Sequence, residues 1–84
     1  MPNHRPIYEI AGDIRRDWQS QRADSRVPPY ADAYLRPMET LNRIEDNYHL
    51  DSAESVVRYF LSNATTYKGE KAKALKQELK DMLT

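Results

Sequence analysis

Four stretches of this chain repeat apolar residues at the spacing of a helix turn, with very little to interrupt them. Ile7, Ile10, Ala11, Ile14 and Trp18 make the first stripe, and Tyr30, Tyr34, Met38, Leu41, Ile44 and Tyr48 make the second. Ala53, Val56, Val57, Phe60, Leu61 and Ala64 form the third, and Ala72, Leu75, Leu79, Met82 and Leu83 the fourth. Only two glycines and five prolines punctuate the chain, too few for the turns that an all-β domain of this size needs. The expectation is an all-α fold, a small bundle of about four amphipathic helices whose stripes converge on one core. Eighty-four residues suffice for a single domain spanning 1–84 and not for two cores. Residues 1–5 are expected to fray.

Local signals place the boundaries. Pro6 suits the first turn of the first helix, and Gly12 lies off its stripe as a tolerated glycine. Residues 23–29, with Asp24, Ser25 and two prolines, read as a connection. Pro37 removes a backbone donor inside the second stripe, so that helix is expected to be bent or interrupted there, the bend being favoured. Asp51 followed three residues later by Glu54 resembles a capping box and marks the third helix start. That helix should stop near Asn63, and the last should run from about Lys68 to Leu83.

Composition excludes several functions. Thirteen basic residues balance thirteen acidic ones, so any contact with nucleic acid must be local. No cysteine is present, which removes disulfides, thiolate catalysis and sulfur-ligated metals and suits a reducing cytoplasm. No apolar run exceeds three residues, far below the roughly 20 of a membrane span, and the first ten residues lack a secretory h-region. His4 and His49 are the only histidines, neither with the partners of a hydrolytic triad or the spacing of a zinc site. No glycine-rich phosphate cradle occurs. The reading is a non-enzyme with no catalytic residue, no metal and no cofactor.

Two candidate surfaces remain. The polar segment around residues 63–70 supplies a candidate protein-binding surface made of Arg58, Tyr59, Asn63, Thr66, Tyr67, Lys68 and Glu70. Tyr59 or Tyr67 is its expected exposed aromatic contact, since Tyr30, Tyr34, Tyr48 and Trp18 fall on apolar stripes. Lys68, Lys71, Lys73, Lys76 and Lys80 crowd the last helix and form a candidate nucleic-acid surface, although Glu70, Glu78 and Asp81 offset part of their charge. A helix-turn-helix is disfavoured, because the connection "NATTYKG" is longer and more polar than a tight turn.

The segments "IYEIAGDIRRDW", "PYADAYLRPMETLNRI" and "DSAESVVRYFLSNATTYKGEKAKALKQELKDML" resemble a family of small helical proteins of unassigned activity from phages and other mobile elements of Gram-positive bacteria. The resemblance covers most of the chain. It implies a cytoplasmic accessory protein that binds a protein partner, and it carries no catalytic or binding residues. A nucleic-acid-binding regulator is the alternative, and self-association is compatible with either.

Overall fold

The structure is a computed structural model that describes residues 4–83. Four helices, α1 (Ile7–Ser20), α2 (Pro29–Met38), α3 (Ala53–Ser62) and α4 (Glu70–Met82), are joined by short connections. A two-residue strand β1 (Asn47–Tyr48) pairs antiparallel with β2 (Asp51–Ser52), Asn47 opposite Ser52 and Tyr48 opposite Asp51. The fold is therefore mostly helical, as the stripes require, and corrects the all-α expectation by one small hairpin. α1 is the middle element: it packs against α4 on one side and α2 on the other, and α2 in turn packs on α3.

α1 buries all five of its stripe residues, none more than 2% exposed. Pro6 stands at its N-cap and offers no side-chain acceptor, so the first free amides look elsewhere. Ile7 and Tyr8 donate to the carbonyls of Asn42 and Leu41, both at 2.9 Å. The loop that follows α2 thus caps α1, and the Asp46 carboxylate holds that loop by accepting from the amides of Asn42 and Arg43. Gly12 is partly exposed; a Cβ there would meet the Arg16 guanidinium at an ordinary 3.5 Å, so no close approach demands the glycine.

α2 departs from expectation in length and in phase. It neither bends at Pro37 and continues nor restarts there; it ends at Met38. Pro37 lacks the amide that would bond back to Ala33, and the chain unwinds through three-residue turns, Glu39 to Arg36, Thr40 to Pro37 and Leu41 to Met38. The Thr40 hydroxyl also donates to the Pro37 carbonyl at 2.7 Å. The buried row is Ala31, Leu35 and Met38, with Tyr30 half exposed and Tyr34 at the edge. Leu41 and Ile44 still reach the core, from a loop rather than from a helix.

The hairpin sets the start of α3. Asp51 is engaged in β2, so the cap falls to Ser52, whose Oγ accepts from the Ser55 amide at 3.1 Å. Glu54 instead pairs with Arg58, four residues on, at 3.1 Å. His49, the first of the two loop residues, has φ 55°, a left-handed conformation that glycine or asparagine ordinarily supplies in such turns. Ala53, Val56, Val57 and Phe60 are buried as their spacing predicts. Gly69 caps α4 with φ 119°, a value that a side chain tolerates poorly.

The stripes meet at an aromatic centre. The Trp18 ring stacks on Tyr67 with centroids 4.9 Å apart and meets the Phe60 ring edge-on at 6.4 Å. Charged clamps surround it. Arg15 grips Glu39 through two nitrogens and Asp32 at 2.6 Å, tying α1 to α2. Arg5 forks onto Glu78 at 2.9 and 2.8 Å and reaches Asp13 at 2.8 Å, tying the chain before α1 to α4. Of the residues expected to fray, 1–3 lie outside the described residues, His4 is exposed and Arg5 is held by these contacts.

Candidate functional site: a tyrosine face across two helices

The phase of α2 decides which aromatic side chains reach solvent. With Ala31 and Leu35 turned inward, Tyr30 and Tyr34, four residues apart, share the outer edge of the helix beside α3. Tyr59 projects from α3 toward the same seam, its ring 5.6 Å from that of Tyr34. Tyr30 is 49% and Tyr59 55% exposed, while Tyr34 sits half-buried between them. The Tyr30 hydroxyl is hydrogen-bonded to the Thr66 hydroxyl at 2.7 Å, which joins the loop after α3 to the face. Asn63, at the end of α3, donates its side-chain amide to the Tyr59 carbonyl at 2.8 Å. The result is an aromatic face with polar edges, in which Tyr34 and Tyr59 meet across two helices and Tyr30 stands one turn along α2.

Among the residues read from sequence as a protein-binding surface, Tyr59, Asn63 and Thr66 come together here, and the exposed Arg58 stands beside Tyr59 on α3. Tyr67 does not. It is fully buried, which corrects its reading as an exposed contact residue: its ring is stacked on Trp18 and its hydroxyl donates to Asp17 Oδ2 at 2.6 Å. Burial first, and then the negatively charged Asp17, push its phenol well above the usual tyrosine range. Lys68 and Glu70 are exposed and belong to the approach to α4, where Gln21 holds the Lys68 carbonyl at 2.8 Å.

Tyr30 and Tyr34 both fall on the stripe expected to face the core; Tyr34 does pack against the edge of the core, whereas Tyr30 is turned out, and the pattern of the stripe does not reveal it. The signal that finds it is the competing row Ala31, Leu35 and Met38, equally helical in spacing and free of polar atoms. Elsewhere, a surface groove of about 550 Å³ runs between α1 and α4, with Asp13, Asp17, Arg16 and Lys71 on its walls. Its charges are already engaged in part, Arg16 by Asp13 and Asp17 by Tyr67. Arg5 holds the Asp13 carboxyl below the usual carboxylate range. For Asp32, burial pushes upward, but Arg15 and Arg36 outweigh it and the carboxyl lies low. Among the described residues no three His, Asp or Glu side chains gather as a metal site, and no helix is long and apolar enough to cross a membrane.

The five lysines of the candidate nucleic-acid surface are not brought to one side. Lys71 faces the groove against α1, whereas Lys73, Lys76 and Lys80 follow another face of α4. Lys76 donates to the Tyr67 carbonyl and lies 5.5 Å from the centre of that ring. Comparison with protein families, with characterised proteins and with solved structures finds no match to this chain.

Proposed function

We propose that this protein is a non-enzymatic interaction module that docks a protein partner on the tyrosine face of α2 and α3. The observation that supports the reading is that Tyr59, about half exposed, lies against Tyr34, while Tyr30, also about half exposed, stands one turn before Tyr34 on the same edge of α2. Tyrosine offers large amphipathic contact area at low conformational cost, since only two side-chain torsions need ordering, and it is enriched among residues that dominate binding energy. Here the Thr66 bond and the Tyr34 ring already restrict those torsions before any partner arrives. Arg58 and Asn63 supply polar groups at the rim, and a polar rim around an aromatic centre is the usual anatomy of a protein interface.

An accessory or regulatory role in a mobile element is part of this reading and rests on the resemblance of the sequence segments alone, while the cytoplasmic setting is the expectation carried by the cysteine-free composition. The test uses the tagged chain to capture a stoichiometric protein from cells that carry its gene, followed by titration with that purified partner. Tyr59→Ala and Tyr30→Ala should each weaken binding by roughly 30-fold, the scale of about 2 kcal/mol expected of an aromatic hot spot, with the circular dichroism unchanged. A purified partner that binds both variants as tightly as the parent removes the tyrosine face as the site. The alternative reading, nucleic-acid binding, uses a different surface.

A further inference from the structure

Charge in this molecule is divided by residue type. Every ion pair among the described residues is made by an arginine, and none of the five lysines makes one. Lys73, Lys76 and Lys80 recur at i, i+3 and i+7, which puts them in one row of about 10 Å along α4. Lys68 belongs to the same cluster: the Lys76 ammonium is pushed below its usual range by burial, and then by the positive charges of Lys80 and Lys68. Two acids of α4, Glu70 and Glu78, form no ion pair with these lysines. Glu78 is gripped by Arg5, and among the described residues Glu70 makes no ion pair with Lys73.

Folding alone gives little reason for this arrangement. Like charges three and four residues apart on a helix are mutually destabilising. The helix dipole favours Lys80 in the last turn but disfavours Lys73 and Lys68 at the opposite end. Lys76 is occupied by the fold, donating to the Tyr67 carbonyl beside that ring, but Lys68, Lys73 and Lys80 are exposed, form no ion pair among the described residues and are available to an external polyanion. We propose that Lys68, Lys73 and Lys80, with the partly buried Lys76 adding its charge between them, form a docking stripe for the phosphate backbone of duplex nucleic acid. Lysines act as point charges, suited to phosphates regardless of sequence. Among the described residues the large exposed apolar side chains are Tyr8, Tyr30, Leu50 and Tyr59, none of them on α4. The stripe therefore lacks both the aromatic platform that single strands stack on and the apolar side chains that enter a membrane interface.

Fluorescence anisotropy with a labelled duplex of about 20 base pairs, a single strand of equal length, and phosphatidylserine vesicles decides the matter. The duplex should bind weakly and best of the three. About three neutralised phosphates, each contributing about −0.9 to the salt slope, imply roughly 40-fold weaker binding at 200 mM than at 50 mM salt. The double variant Lys73→Glu/Lys80→Glu should lose most of that salt-dependent binding. Lys71→Glu, on the groove side, should change affinity less than about twofold. If the double reversal disturbs the circular dichroism, Lys73→Gln/Lys80→Gln gives the same readout with less repulsion. The proposal is overturned by absence of salt-sensitive duplex binding at low salt, by a loss in Lys71→Glu as large as in the Lys73/Lys80 double variant, or by preference for the vesicles or the single strand.

Discussion

At the scale of single residues, Tyr67 carries the most consequence. Surrounded in sequence by threonines, lysine and glycine, it is nevertheless sealed against Trp18 and bonded to Asp17. Truncation to alanine would remove a buried aromatic ring and cost about 3–5 kcal/mol, a large share of the 5–15 kcal/mol that holds a domain of this kind together. Tyr67→Ala is thus a folding variant, and it cannot report on binding. Tyr67→Phe keeps the ring and loses only the bond to Asp17, at a cost of about 1–2 kcal/mol. Its pH behaviour is diagnostic. The folded phenol ionises later than an unfolded one, so its contribution is fully present below about pH 10 and declines above it, as the unfolded chain gives up its proton first. Alkaline chemical denaturation should show the parent losing stability between about pH 10 and 12 faster than Tyr67→Phe. Equal slopes would show that the phenol is not held as described.

At the scale of elements, the boundaries depend on which of two competent neighbours is already occupied. Asp51 and Ser52 can both cap α3, and the pairing of Asp51 with Tyr48 in the hairpin leaves the role to Ser52. Ser52→Ala should cost about 1 kcal/mol in urea denaturation, whereas Asp51→Ala should stay within about 0.5 kcal/mol; the reverse ranking would place the cap at Asp51. α1 shows the complementary case. Its Pro6 cap has no side-chain acceptor, and the carbonyls of Leu41 and Asn42 take the first amides, so the helix start is completed by a loop more than thirty residues away. Pro37 makes that loop possible by ending α2 where the chain must turn back.

At the scale of the whole molecule, Trp18 ties the parts together. It touches α3 through Phe60 and the segment before α4 through Tyr67, while its own helix is clamped to α2 by Arg15 and to α4 through Arg5. With one core and no element packed apart from it, the domain should unfold in a single transition. Trp18 fluorescence and far-ultraviolet circular dichroism should give coincident thermal curves with an enthalpy of about 60 kcal/mol, from about 0.7 kcal/mol per residue. Separated midpoints would mean that α4 or the hairpin melts independently. The same layout leaves the tyrosine strip of α2 and α3 and the lysine row of α4 as distinct outer surfaces, which is why one can be mutated without touching the other.

Periodicity alone settled that α1, α3 and α4 are helices and which side of each turns inward, because Ile, Val, Leu, Phe and Trp at helical spacing admit only one buried face. It could not settle α2, where a tyrosine row and an Ala31, Leu35 and Met38 row compete and the amphipathic phenol suits either surface or core. Nor could it find the hairpin, whose strands of two residues are too short to alternate, or the burial of Tyr67, whose partners Trp18 and Asp17 lie about fifty positions earlier in the chain. Local pattern determines a helix and its greasy side. Which of several half-polar side chains ends up inside, and hence which surface is left to bind, is decided only when distant segments compete for the same core volume.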